Sequence, residues 1–334
     1  MPSSRTPVAV LGLSHVDYSL AVLWLNWAVS LANRPGGDVS QHHLVIFANK
    51  RIGAAKHQAL LDIVQKESHF FKCTTAMPQD EHEVGYPGSA THLFIRALEH
   101  CEREFPDRPV LWVETDAIPI KPTWFHEIAE EHSSHHLPFT GVYVDSIGPH
   151  MAGCGIYPPD WRRKAPLLEK AIAAPSNTGL WRPGTGQAWD TFVGSEIAPK
   201  MFRSKTIQQI WRPGMFSEKN LSRVLPQTCL FHQCKNGSLI ACLSRKLTPL
   251  GADRPPNGKP YYCVLTSRPL MSLLDGTVKF IPCARGPGGA VFGVFAPSTL
   301  AEECLLDAVD GTNGITKIDE HEYNNFMRQR RTFA

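Results

Sequence analysis

The stretch Pro109-Val110-Leu111-Trp112-Val113-Glu114-Thr115-Asp116-Ala117-Ile118-Pro119 decides how the rest of the chain is read. Val110 to Val113 is a short apolar run led by a β-branched residue, the pattern of a buried strand. Two carboxylates one residue apart end it, and Pro119 and Pro122 stop any continuation of the ladder. Residues i and i+2 of an extended chain point to the same side. Glu114 and Asp116 therefore face one spot at the carboxyl end of a strand, where open α/β sheets bind ligands. Two such acids repel each other unless a cation lies between them, and hard oxygen ligands suit Mg²⁺ or Mn²⁺. The same spacing also fits an ordinary strand exit with two solvated acids, and spacing alone leaves both readings open.

Upstream, strands and helices alternate. Val8 to Leu13 reads as a first buried strand, followed by the loop Ser14-His15-Val16-Asp17. Tyr18 to Leu31 carries Leu, Trp and Val at helical spacing and ends before Asn33-Arg34-Pro35-Gly36-Gly37. His43 to Asn49 predicts a second strand, Ala54 to Lys66 a second helix and Phe70 to Thr74 a third strand. A helix from Ser89 to about Glu104 then leads into the opening stretch. This order is the signature of an α/β fold, a mostly parallel sheet covered by helices on both faces.

Downstream, Thr123 is placed to cap a helix, and the tract His132, His135, His136 fits a solvated loop better than a metal tract. Pro138 to Val144 predicts a strand, and Pro166 to Ala173 a short helix entered from Arg162-Arg163-Lys164. His150-Met151-Ala152-Gly153-Cys154-Gly155-Ile156-Tyr157-Pro158 places two glycines around a small residue, which suits either a β-bulge or a close approach of backbone to ligand. Thr248 to Pro260, with four prolines and two glycines, reads as a linker. Beyond it, strands at Tyr262–Thr266, Thr277–Ile281 and Ala290–Phe295 and helices from Thr299 and from Asp319 to about Arg331 predict a small α+β module. The expected division is a domain over 1–247, with halves at about 1–120 and 121–247, and the module over 261–334.

Composition bounds the class. The chain has 334 residues, 43% hydrophobic and 19% charged, values of a globular protein. It lacks an uncharged apolar run of membrane-spanning length, so no membrane partner is expected. Nine cysteines, an odd number without a C-x-x-C pair, argue for a reducing, cytoplasmic setting. Charge is uneven: residues 1–150 carry 11 basic against 17 acidic residues, whereas 151–250 carry 14 against 5, net +9. Such a block suits a polyanion, although solubility alone also produces one.

The first strand, the parallel α/β half, the acid-x-Asp end near residue 115 and a downstream His resemble the GT-A fold of nucleotide-sugar-dependent glycosyltransferases. The stretches LWVETDAIPIKPTWF, HMAGCGIYP, AWDTF and LFHQCKNGSLI look more narrowly like the phage-encoded enzymes, associated with TET-type dioxygenases, that glycosylate 5-hydroxymethylpyrimidines in DNA. These stretches cover about residues 85 to 245. The resemblance implies a Rossmann-type, GT-A-like sheet in which Glu114-Thr115-Asp116 stands for the Asp-x-Asp motif, with Glu in place of the first Asp. It implies that Glu114, Asp116 and His232 hold Mn²⁺ or Mg²⁺, and that Lys235, Thr115, Ser14, His15, Asp17 and Asn49 meet a nucleotide-sugar donor, a UDP-sugar above all. An inverting enzyme also needs a base for the acceptor hydroxyl. Asp190, between Trp189 and Phe192, is the first candidate and Asp145 the second. DNA would meet the basic 151–250 block, through residues such as Arg162, Arg163, Lys164, Arg182, Lys200, Arg203, Lys205 and Arg212, in a host cytoplasm if the chain is phage-encoded. Two alternatives stand beside this: a glycosyltransferase with a protein, lipid or surface-glycan acceptor, and a non-catalytic nucleic-acid-binding or assembly protein. A nicotinamide-dependent oxidoreductase is disfavoured, because the loop after the first strand lacks G-x-G-x-x-G.

Overall fold

A computed structural model describes residues 6–33, 42–67, 71–78, 87–145, 148–171, 188–211 and 213–247, together with the backbone of four strands beyond residue 260. The first 120 residues alternate as their hydrophobic periods predict: β1 (Val8–Leu13), α1 (Tyr18–Ala32), β2 (His42–Ala48), α2 (Ala54–Glu67), β3 (Phe71–Ala76), α3 (Gly88–Glu104), β4 (Val110–Glu114) and the two-residue β5 (Ile118–Pro119). Then come α4 (Trp124–Ser133), β6 (Phe139–Val144) and β7 (His150–Tyr157). The short helices α5 (Trp161–Lys164), α6 (Leu167–Lys170), α7 (Trp189–Phe192) and α8 (Gly194–Ile197) follow. Three-residue strands β8 (Met201–Arg203), β9 (Ile207–Gln209) and β10 (Leu230–His232) precede α9 (Ser238–Leu247).

Seven strands form one sheet in the order β3-β2-β1-β4-β7-β6-β8. Pairing is parallel from β3 through β4 and antiparallel on both sides of β7, and β6 pairs with β8 in parallel. The sheet is thus mostly parallel α/β, with β7 reversed. Alternation along each strand sends its side chains to two cores. Ala9, Leu11, Leu13, Leu44, Ile46, Leu111 and Val113 join α1, α2 and α4 on one face. Val8, Val10, Val45, Phe47, Val110 and Trp112 join α3 and the α5–α8 segment on the other. A strand buried on both faces reads as a continuous apolar run, which is why Val8–Leu13 and Val110–Val113 are legible in the sequence.

The first core also receives the small sheet β5-β10-β9, where β10 pairs antiparallel to β5 and parallel to β9. That pairing returns residue 232 to the end of β4.

Several expectations need correction. Thr123 precedes α4 but its hydroxyl makes no cap; it donates to the Glu127 carboxylate instead. The basic run Arg162–Lys164 is itself a helical turn, α5, rather than the entry to one. His132 and His135 are not a solvated tract: both imidazoles meet the Thr140 hydroxyl, at 2.7 and 3.0 Å, and His135 stacks on Phe202. Beyond residue 260, β11 (Tyr261–Thr266), β12 (Lys279–Gly286), β13 (Gly289–Phe295) and β14 (Ile315–Ile318) form an antiparallel sheet in the order β12-β13-β11-β14. Strand β14 was not anticipated from its short, polar-interrupted sequence. The linker at 248–260 and the two C-terminal helices lie outside the described residues.

Among the described residues no helix is long and apolar enough to cross a membrane. The six cysteines described there with side chains, Cys73, Cys101, Cys154, Cys229, Cys234 and Cys242, are all free thiols.

Candidate metal and nucleotide site

The site is built where β4 stops. Glu114 is its last residue, and the Ala117 N–H donates to the Glu114 carbonyl at 2.9 Å, so the chain turns through Thr115 and Asp116 before β5. Two tryptophans of α1 hold this turn: Trp24 Nε1 donates to the Ala117 carbonyl at 2.5 Å and Trp27 Nε1 to that of Pro119 at 2.6 Å. The pattern of α1 therefore does more than fill a core. It pins the acid-bearing turn.

His232 arrives from β10. Its Nε2 lies 3.3 Å from Glu114 Oε2 and 3.4 Å from Asp116 Oδ1, while its Nδ1 meets Gln209 Oε1 on β9 at 2.9 Å. The chain then bends at Gln233, a non-glycine residue at φ 81°. Left-handed backbone at a β-carbon residue is strained, and it persists where surrounding contacts over-determine it. Here the bend lets the Cys234 N–H donate to the Asp116 carbonyl at 2.9 Å and brings Lys235 Nζ to 3.9 Å from Asp116 Oδ2. Glu114, Asp116, His232 and Lys235 are thus brought together.

Asp116 is only 4% exposed, and neither carboxylate oxygen has a hydrogen-bond partner. Burial alone would raise its carboxyl, but His232 and then Lys235 outweigh that and hold it below the usual carboxylate range. Burial alone would likewise lower the His232 imidazole; Cys154 and Asp116 beside it overcome this and hold it well above its ordinary value. A buried carboxylate with two orphan oxygens beside an imidazole and a second carboxylate fits a divalent cation by the chemistry of its donors.

Strand β7 supplies the other wall. Its pairing sets Gly155 against Trp112 and carries Cys154 to the end of β4, where the Glu114 N–H points at Cys154 Sγ across 3.4 Å. A β-carbon on Gly153 would stand 2.7 Å from Glu114 Oε1, so the glycine is the space that the Glu114 carboxylate occupies. The β6–β7 register also shifts between Gly141 and Tyr143. The glycine-rich stretch is therefore both a bulged hairpin and a close approach to the acid. Cys154, the small residue between the two glycines, joins Glu114 and His232 in a group whose ligand atoms all lie within 4.8 Å of one another.

The remaining candidates divide. Asp17 is half-buried after β1, accepts from the Ser14 hydroxyl at 2.6 Å, and has its carboxyl raised by burial, with added repulsion from Asp116 and Glu114. Asp17 is thus within electrostatic reach of the acids, with Ser14 bonded to it; His15 is exposed. The Asn49 side chain is used as a cap, accepting from the Arg51 N–H at 2.8 Å. Thr115 is buried inside the turn. Asp190 lies in α7, anchored by Trp189 stacked on Phe94 at 3.7 Å. Burial raises its carboxyl, against the nearby His150 and with Glu114 adding to the rise. Asp145 is exposed at the end of β6, and among the described residues no contact ties it to the cluster. Cys154 and Gln209 were not singled out as site residues, because only strand pairing and contacts across the fold bring them to the acids and to His232.

Several basic candidates are occupied within the molecule. Arg162 reaches Glu102 at 2.9 Å, Glu99 at 3.2 Å and Glu169; Arg163 pairs with Asp160. Lys200 donates to the Lys164 carbonyl at 2.7 Å, and the Arg203 guanidinium covers the Tyr143 ring at 3.9 Å. Arg182 and Arg212 lie outside the described residues.

No protein-family model matches this chain, and no curated protein matches it. Among solved structures it is similar to the WbbM bifunctional glycosyltransferase, at 8% identity and a TM-score of 0.46 over 75% of this chain and 51% of that one. It is also similar to mouse xyloside xylosyltransferase 1, at 12% identity and a TM-score of 0.45 over 68% of this chain and 97% of that one. A further similarity is to the galactosyltransferase LgtC in complex with donor and acceptor sugar analogues, at 12% identity and a TM-score of 0.41 over 68% and 86% of the two chains. The chain spans about half the length of WbbM.

Proposed function

We propose that this chain is a metal-dependent, GT-A-like glycosyltransferase that moves a sugar from a nucleotide-sugar donor to a hydroxyl of a modified DNA base such as 5-hydroxymethylcytosine. One observation carries the transferase reading: at the carboxyl end of a parallel strand, the buried Asp116 carboxylate has two oxygens without hydrogen-bond partners, ringed by Glu114, His232 and Lys235. Glu114, Asp116 and His232 would hold Mn²⁺ or Mg²⁺, which when bound offsets the charge of a donor diphosphate. Lys235, 70% exposed along its side chain, is free to swing from Asp116 to a phosphate oxygen and stabilise the leaving group. The loop Ser14–Asp17 is the wall against which the nucleoside would rest. Asp190, its carboxyl raised by burial, would take the acceptor proton.

The intramolecular partners of Arg162, Arg163, Lys200 and Arg203 favour a second reading of the acceptor, as a protein, lipid or glycan hydroxyl. Incubating the protein with Mn²⁺, a panel of nucleotide sugars and hydroxymethylated DNA, and weighing the DNA, tests both. A mass gain of one sugar, lost on Asp116→Ala and falling steeply from low to moderate salt, supports the DNA acceptor. Donor turnover without any DNA mass gain moves the acceptor to the second class. Turnover that survives Asp116→Ala overturns the metal assignment.

A further inference from the structure

The cation reading above leaves one group of the site without a role. Cys154 is fully buried on β7, and its sulfur lies within 4.8 Å of both a Glu114 oxygen and a His232 nitrogen. Three independent features aim it. The β4–β7 ladder carries Cys154 to the end of β4. The Glu114 N–H fixes the sulfur at 3.4 Å. Gly153, one residue earlier, leaves the space in which the Glu114 carboxylate sits against the same strand. Atoms bonded to one cation stand within roughly twice a 2.0–2.3 Å ligand bond of each other, and this trio needs little movement to reach that. The buried Asp116 carboxylate, without a hydrogen-bond partner at either oxygen, stands beside this trio, 3.4 Å from the His232 ring.

Resting on that cation reading, we propose that Cys154 is a further protein ligand of the cation held by Glu114, Asp116 and His232, and that its sulfur makes the site select borderline and soft divalent cations over Mg²⁺. An all-oxygen site favours hard ions, and exchanging one oxygen for sulfur moves preference toward Zn²⁺, Co²⁺ and Cd²⁺. On coordination the thiol proton passes to solvent and the sulfur–metal bond takes the place of the S–H bond, with no change of oxidation state.

Cobalt gives a readout separate from turnover. Titrating the metal-free full-length protein with Co²⁺ is expected to produce visible d–d bands together with a near-ultraviolet sulfur-to-cobalt charge-transfer band at one ion per chain. Cys154→Ser is expected to keep the d–d bands and lose the charge-transfer band. It should also weaken Cd²⁺ binding ~10-fold or more while changing Mg²⁺ binding less than about 2-fold. Bound Co²⁺ with d–d bands and no charge-transfer band in the unaltered protein overturns the sulfur ligand and leaves the cation site standing. A charge-transfer band that persists in Cys154→Ser also overturns it. No Co²⁺ binding at all overturns the cation reading and this inference together. Cys154→Ala supplies the same comparison if Cys154→Ser does not fold.

Discussion

Gln233 is the residue at which strain and site meet. Its left-handed backbone, φ 81°, sits between the imidazole that faces the acids and the lysine that follows. Glycine adopts this conformation without a β-carbon penalty. Gln233→Gly is therefore expected to raise stability by about 0.5–1 kcal/mol in chemical denaturation, and the β-branched Gln233→Val to lower it by about 1 kcal/mol or more. His232 gives a second expectation. Cys154 and Asp116 hold the metal-free imidazole well above its ordinary value, so a cation must displace its proton. The His232 proton alone makes affinity for Mn²⁺ rise with pH by up to about tenfold per unit while His232 is protonated, a coordinating Cys154 thiol adds its own proton, and binding releases protons to the buffer. Calorimetry in buffers of different ionisation enthalpy measures that release. A pH-independent affinity would refute it.

Among the elements, α4 and β6 are tied by a histidine rather than by an ion pair. Burial, with His135 nearby, lowers the His132 imidazole from 6.5 to about 4. The folded state then binds fewer protons than the unfolded chain between these values. Stability is full above pH 6.5 and falls as pH drops toward about 4, by up to about 3 kcal/mol. Urea midpoints at pH 7.5 and 5 should show the fall, and His132→Gln should flatten it. The sequence did not show this packing, because three histidines in five residues look like a polar loop until Thr140 and Phe202 are folded against them. Long elements were legible for the opposite reason: β1, β4, α1 and α3 carry their burial in their own periodicity. The strands β5, β8, β9 and β10 are two or three residues long and exist only through their pairing. The same divide runs through the site. Glu114 and Asp116 are readable from one strand end, whereas Cys154 and Gln209 join it only through strand pairing and side-chain contact across the fold.

For the molecule as a whole, the composition of Thr248 to Pro260, four prolines and two glycines in thirteen residues, predicts a linker after a domain over 1–247. A chain ending at residue 247 is accordingly expected to unfold cooperatively, with a denaturation midpoint close to that of the complete chain. A broad, non-cooperative transition would show that residues beyond 247 complete the fold. The two indoles that clamp the acid turn give the assembled molecule another property. Trp24 and Trp27 donate to the carbonyls of Ala117 and Pro119, on the segment directly after Asp116. Their excited states feel the field at that turn, so loading a cation or a diphosphate should change the intrinsic emission spectrum. Trp24→Phe should blunt the response. The protein thereby carries its own optical gauge of occupancy, and ligands can be screened with a fluorimeter before any donor sugar is known.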